Sequence, residues 1–137
     1  MKFKIYPDQN LLVDVCTGSL KYEHLTELVL HEINDPNFGS VNRILSNIAD
    51  ASFEITAQEL EEFAKMIGSP AAGTEPRWAI LTSSPSQVVV SILLKGSPVF
   101  KNMIEVFSTL EACTEYLGVT FSAEQFNEDG FTEVPGA

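Results

Sequence analysis

His24, Glu27 and His31 are spaced i, i+3 and i+7 in "HLTELVLH". At about 100° per residue they share one face of a helix. Two imidazoles and a carboxylate on one face form a donor set that zinc or another transition metal accepts. A protein-built site needs further ligands, and the chain contains only two histidines. The ordinary reading is a solvated polar face, and no cofactor is expected. Glu59, Glu61 and Glu62 form a second carboxylate cluster, of a kind that exposed helix faces commonly carry. General acid–base chemistry needs a carboxylate with a displaced pKa in a cleft, and the cluster gives no sign of one. There is no G-x-S-x-G, phosphate-binding glycine loop or zincin motif. The reading is therefore non-enzymatic.

The elements that must position these residues alternate. "KFKIY" places Phe3 and Ile5 inward, and "LLVDV" follows the turn "PDQN", a β-hairpin signal. "GSLKYEHLTELVLHEIND" then shifts to helical period, with Tyr22, Leu25, Val29 and Ile33 as its apolar stripe and Ser19 as its cap. A short strand is expected around Arg43 to Asn47. "TAQELEEFAKMIG" carries a capping box of Thr56 and Glu59, a stripe of Leu60, Phe63, Ala64 and Ile67, and a terminal Gly68. "PRWAILTS" and "KNMIEVF" read as strands, and "STLEACTEYLG" as a last helix capped by Ser108 with Glu111 and ended by Gly118. The order β-β-α-β-α-β-α-β-α implies an α/β fold, with a mostly parallel central sheet and an N-terminal antiparallel hairpin.

"SPSQVVVSILLKGSP" sits between two of these strands and mixes signals. Its β-branched residues suit a strand, yet a parallel crossover calls for a helix, started at Ser84 or Ser86 and stopped by Gly96 and Pro98. As a helix it is too apolar for one stripe. Val88, Val89, Val90, Ile92, Leu93 and Leu94 span roughly 240° where a core-facing stripe needs little over 100°. Gln87, Ser91 and Lys95 are left as the polar side. The surplus either lies under other parts of the chain or forms a surface for a subunit, a partner or an apolar ligand.

The 137 residues suit a single domain over 1–119, followed by an acidic, aperiodic stretch over 120–137 that is expected to be mobile. Phe121, Phe126 and Phe131 recur there every five residues, a spacing that fits neither helix nor strand. Such a tail can also dock on a partner or on its own domain. Eight Lys and Arg against 19 Asp and Glu leave a net charge of −11, which provides no footprint for nucleic acid. Lys2, Lys4, Arg43 and Arg77 are the residues from which a local basic patch could still form. Cys16 and Cys113 have apolar neighbours and read as buried free thiols. No run resembles a signal peptide or a transmembrane segment, so a cytoplasmic location is expected.

The order of elements and the ending "VFSTLEACTEYLG" resemble the STAS superfamily, the anti-sigma-factor-antagonist fold, in its SpoIIAA-like or STAS/SEC14-like branch. Phe107, Leu110, Glu111, Ala112, Tyr116, Leu117 and Gly118 stand at the positions that carry the resemblance, and "RILSNIADASFEITAQELEEFA" looks like the branch's strand, loop and capped helix. The resemblance implies a regulatory module that associates with itself or a partner protein. Classical members are switched by phosphorylation at the start of the helix after the third strand, which makes Thr56 the candidate phosphate or anion site. Ala57 and Gln58 depart from the Ser/Thr and Gly of the classical pattern. The SEC14-like aspect implies an alternative, binding of a small apolar molecule or lipid, with the Val88–Leu94 segment as interface or ligand wall.

Overall fold

The first strand, β1 (Lys2–Tyr6), buries Phe3 and Ile5 on alternate positions, as a strand covered on one face should. The turn Pro7–Gln9 ends at Asn10 in left-handed conformation, φ 53°, and returns the chain antiparallel into β2 (Leu11–Lys21). The structure is a computed structural model and describes residues 1–68, 75–100 and 102–135. Beyond β2 follow α1 (Tyr22–Ile33), β3 (Arg43–Glu54), α2 (Ala57–Ile67), β4 (Arg77–Leu81), α3 (Pro85–Lys95), β5 (Ile104–Phe107) and α4 (Leu110–Leu117). A last short strand, β6 (Thr132–Glu133), completes a six-stranded sheet in the order β5-β4-β3-β2-β1-β6. The pairs β2–β3, β3–β4 and β4–β5 are parallel, while β1 is antiparallel to both its neighbours.

Helices cover both faces. Leu12, Cys16, Ile48, Trp78 and Ile80 meet the buried residues of α1, α2 and α3 on one side. Leu11, Val13, Leu45 and Ala79 meet Cys113 and Leu117 of α4 on the other. This double coverage is why "LLV" runs apolar without alternation in a central strand. The two thiols lie buried in opposite layers. Gly118 ends α4 at φ 68°, a conformation that a side chain resists. Arg43 Nε and an Arg77 guanidinium nitrogen donate to the last α4 carbonyls, those of Leu117 and Tyr116, at 2.9 and 2.7 Å.

Several sequence expectations need correction in detail. β3 runs past Asn47 to Glu54, and β2 runs to Lys21, because their far halves pair with each other as far as Lys21 with Glu54. Ser19 therefore lies in a strand, and α1 starts after Lys21, whose N–H donates to His24 Nδ1 at 2.8 Å. Thr109, not Ser108, caps α4, accepting from Ala112 N–H at 3.2 Å. The expected capping box at Thr56 and Glu59 is present, with bonds of 3.1 and 2.9 Å. The expected strand "KNMIEVF" begins only at Ile104; its Lys101 lies outside the described residues.

The segment expected to be mobile beyond residue 119 is packed through Val134. Phe121 is buried against the α4 layer, edge-on to Tyr6 and Phe126. Lys2 donates to the Phe126 carbonyl and lies over the Phe131 ring, and Lys4 pairs with Glu128 at 2.9 Å. The five-residue spacing thus reflects an irregular path along β1. Gly130, Pro135 and the residues between them carry the chain onto the β1 edge, where Val134 N–H donates to the Met1 carbonyl at 2.8 Å.

Candidate functional site

A cavity of about 280 Å³ lies between the sheet and α1, α2 and α3. Its walls are mostly apolar: Leu12 and Ile44 from the sheet, Leu28 and Val29 from α1, Leu60 and Phe63 from α2, and Val90 and Leu94 from α3. Ile33, Phe38, Ile67 and Val90 at its rim are partly exposed, so it opens where the three helices meet.

Polar groups reach it in one place. Asp14 and Ser46 are register partners on β2 and β3, both facing the helix layer. Glu32 comes down from α1, and Cys16 stands one strand repeat beyond Asp14. Asp14 is 6% exposed and Glu32 4%. Trp78 Nε1–H donates to Ser46 Oγ at 2.9 Å, and Asp14 lies beside Ser46 and Glu32. Burial pushes both carboxyls above their ordinary range, and the neighbouring charge of Asp14 raises Glu32 further. Both carboxyls thus hold their protons to higher pH than exposed ones do. Burial also pushes up the Cys16 thiol, with Asp14 and Glu32 adding to the effect. Among the described residues, the second Glu32 oxygen, Oε2, is buried without a hydrogen-bond partner.

Sequence reasoning missed this cluster. Glu32 falls at i+7 from Leu25 and i+4 from Leu28, on the buried stripe, and a carboxylate at that position was the available signal. Asp14 was the matching one, a lone acid in an apolar central strand.

The residues singled out from sequence lie elsewhere or divide. His24 is tied to the start of α1, and His31 Nδ1 lies 2.9 Å from the Glu27 carbonyl. Among the described residues no three His, Cys, Asp or Glu side chains gather as a metal site. Thr56 is exposed at the α2 N-terminus. The α3 segment is a helix, but its polar side is turned the wrong way round for the sequence reading. Gln87 and Ser91 are 5% and 1% exposed, whereas Val89, Ile92 and Leu93 are 58%, 55% and 50% exposed. Val88 is half-buried, and Val90 and Leu94 line the cavity.

The cause is in β3. Its register against β2 slips by one residue between Asn47 and Asp50, and β4 pairs with it only as far as Asn47. The carbonyls of Ala49 and Ala51 need other donors; Gln87 Nε2 donates to both, at 3.0 and 2.8 Å, and Ser83 Oγ also donates to Ala49 at 2.6 Å. Gln87 Oε1 in turn accepts from Ser83 N–H, and Ser91 Oγ donates to the Gln87 carbonyl at 2.8 Å. Unpaired buried carbonyls cost more than exposed valines gain by burial, so the polar side faces inward. The four cations that could have formed a basic patch are split. Lys2 and Lys4 hold the C-terminal segment, and Arg43 and Arg77 hold the end of α4.

No protein-family model matches the chain, and no curated protein matches it. Among solved structures it is similar to an uncharacterized protein of the DUF3478 family with a SpoIIAA-like fold, from Shewanella loihica PV-4. The two are 16% identical over 78% of this chain and 83% of the other, with a TM-score of 0.49.

Proposed function

We propose that the chain is a non-enzymatic binding protein for a small, mainly apolar molecule held between the sheet and α1–α3. The cavity is the observation that supports this reading. Protein interiors are close-packed, with few voids larger than a water molecule. The apolar walls around some 280 Å³ of space that opens among the helices stay in contact with water unless an apolar molecule covers them, and covering them is worth roughly 25 cal/mol per Å² of apolar surface removed from water.

Native mass spectrometry of the purified protein, followed by a denaturing measurement, tests the reading. An added mass that is lost on denaturation supports it. An unadorned chain whose single tryptophan, Trp78 on the cavity wall, ignores every apolar probe would sink it.

A second reading, association as a regulatory module, draws on the outward Val89, Ile92 and Leu93 of α3. Replacing Val89 or Leu93 by Asp should then break a dimer or complex and leave the domain folded, as sedimentation and circular dichroism would report. α3 presents one side to the cavity and the other to solvent, so the two readings are compatible.

A further inference from the structure

α3 carries a seam that its own chain leaves uncovered. Val89, Ile92 and Leu93 are each half exposed or more, and the exposed Ser86 and Gly96 extend the same line to the two ends of the helix. From Pro85 to Val89, Ile92 and Gly96 the steps are four, three and four residues, the spacing of a two-helix seam. Gln87 and Ser91 are buried on the opposite side, so α3 cannot turn this line inward without breaking the bonds of Gln87.

The distribution of charge selects what can cover it. The chain has 19 Asp and Glu, yet none falls between Glu75 and Glu105, its longest stretch without a carboxylate. α3 lies in the middle of that stretch, and its single charge, Lys95, is paired with Glu105 at 2.9 Å. Two copies that each carry a net charge of −11 repel one another. Across α3 they can approach with no carboxylate on either facing helix. A basic partner would be drawn to the acidic faces instead, and an anionic membrane would repel the chain as a whole.

We propose that α3 pairs with the α3 of a second copy about a two-fold axis, the two helices running antiparallel. This rests on the reading of α3 as an association surface. Antiparallel pairing sets the N-terminal end of each helix beside the C-terminal end of the other, as the macrodipoles favour. It also holds the two Lys95 ammonium groups at opposite ends, where parallel pairing would bring them side by side. With the axis passing level with Ser91, Val89 meets the partner's Leu93 and Ser86 meets the partner's Gly96, so small residues let the helix ends approach. The three aliphatic side chains expose on the order of 300 Å², less than half of the roughly 800 Å² per partner in a standard interface. The dimer is therefore weak, with a dissociation constant of about 100 μM.

Sedimentation velocity between about 10 μM and about 1 mM, tenfold either side of that constant, should show monomer passing into dimer. Raising the salt from about 0.01 to about 0.5 M should tighten the dimer several-fold, because it screens the repulsion between the acidic faces. Leu93→Asp, at an exposed position, should stay monomeric throughout, with circular dichroism confirming the fold. Disulfide cross-linking reads the arrangement, since Cys16 and Cys113 are buried. Ile92→Cys, beside the axis, should link two copies under mild oxidation. Ser86→Cys should not, because antiparallel helices hold the two positions about 15 Å apart along the axis.

Linking through Ser86→Cys and not Ile92→Cys leaves α3 as the association surface but overturns the antiparallel pair. A dimer that persists in Leu93→Asp overturns the α3 reading and the inference together. A wild-type protein that stays monomeric at the highest concentration and salt overturns the second copy as the partner. So does co-sedimentation of the wild type, but not Leu93→Asp, with phosphatidylcholine vesicles, which would give the face to a membrane.

Discussion

The acid pair makes stability depend on pH in a direction opposite to that of an ordinary salt-bridged carboxylate, and Glu32→Gln isolates the effect. In the unfolded chain Glu32 loses its proton in the usual range, near about 4. In the fold, burial and the adjacent Asp14 hold the proton on to higher pH. Between those two values unfolding releases a proton, so the folded state binds more protons than the unfolded one and stability falls as pH rises. The contribution is complete below about pH 4 and is lost upward through the raised range. Each pH unit within that window costs about 1.4 kcal/mol per proton, or about 4 °C in Tm for a chain of this size. Glutamine preserves the shape but has no proton to release. Cys16, facing Glu32 from β2, remains in both proteins, and Asp14, whose carboxyl burial also raises, keeps burial as its main cause in the variant. The exposed carboxylates behind the net charge of −11 are also common to both and cancel in the difference. Urea unfolding from pH 4 to 8 should find the variant gaining on the wild type as pH rises, by up to about 1.4 kcal/mol per unit. Parallel curves would mean that the fold retains no extra proton at Glu32.

Other perturbations test the frame around the cavity. Gln87→Leu takes the Gln87 donor from the Ala51 carbonyl and the acceptor from the Ser83 N–H, while the Ala49 carbonyl keeps Ser83 Oγ, so urea unfolding should show a loss of about 2 kcal/mol despite the gain in hydrophobicity. Phe121→Ala removes the buried ring that anchors the C-terminal segment; a loss of about 3–5 kcal/mol is expected, with faster hydrogen exchange at Val134. Thr56→Ala removes the α2 cap and should cost about 1 kcal/mol in thermal unfolding, with no change in probe binding.

How much of this was legible in the sequence differs by element. The nine elements from β1 to α4 follow their periodicities and stop signals, because a helix stripe, a capping box and a terminal glycine each act within a few residues. Thr56 with Glu59 and Gly118 are of that kind. The orientation of α3 was not legible. Its pattern has two sides, and which one faces in depends on carbonyls left unpaired by a bulge some 38 residues earlier, at Ala49. Asp14 and Glu32 stand 18 positions apart in the chain, each an apparent exception to an apolar pattern. Only the packing of α1 on β2 makes them one site. The C-terminal segment failed for a related reason, since its ordering comes from Tyr6, Lys2 and Lys4 at the far end of the chain and from no period of its own.

The closure of β6 onto β1 has a kinetic side. Phe3 pairs with Thr132, so the last contact of the sheet joins residues nearly the whole described chain apart. Hairpin and crossover units can form as they leave the ribosome, but the outer edge of β1 must wait for residues 132–134 to be synthesised. Contacts of such sequence separation slow folding, and an unpaired edge invites pairing with other chains meanwhile. Lys2 and Lys4, which later hold the C-terminal segment, first serve as charges along a naked edge. Nascent chains stalled before Phe121 should therefore hold a sheet that is assembled on one side and still adhesive on the other.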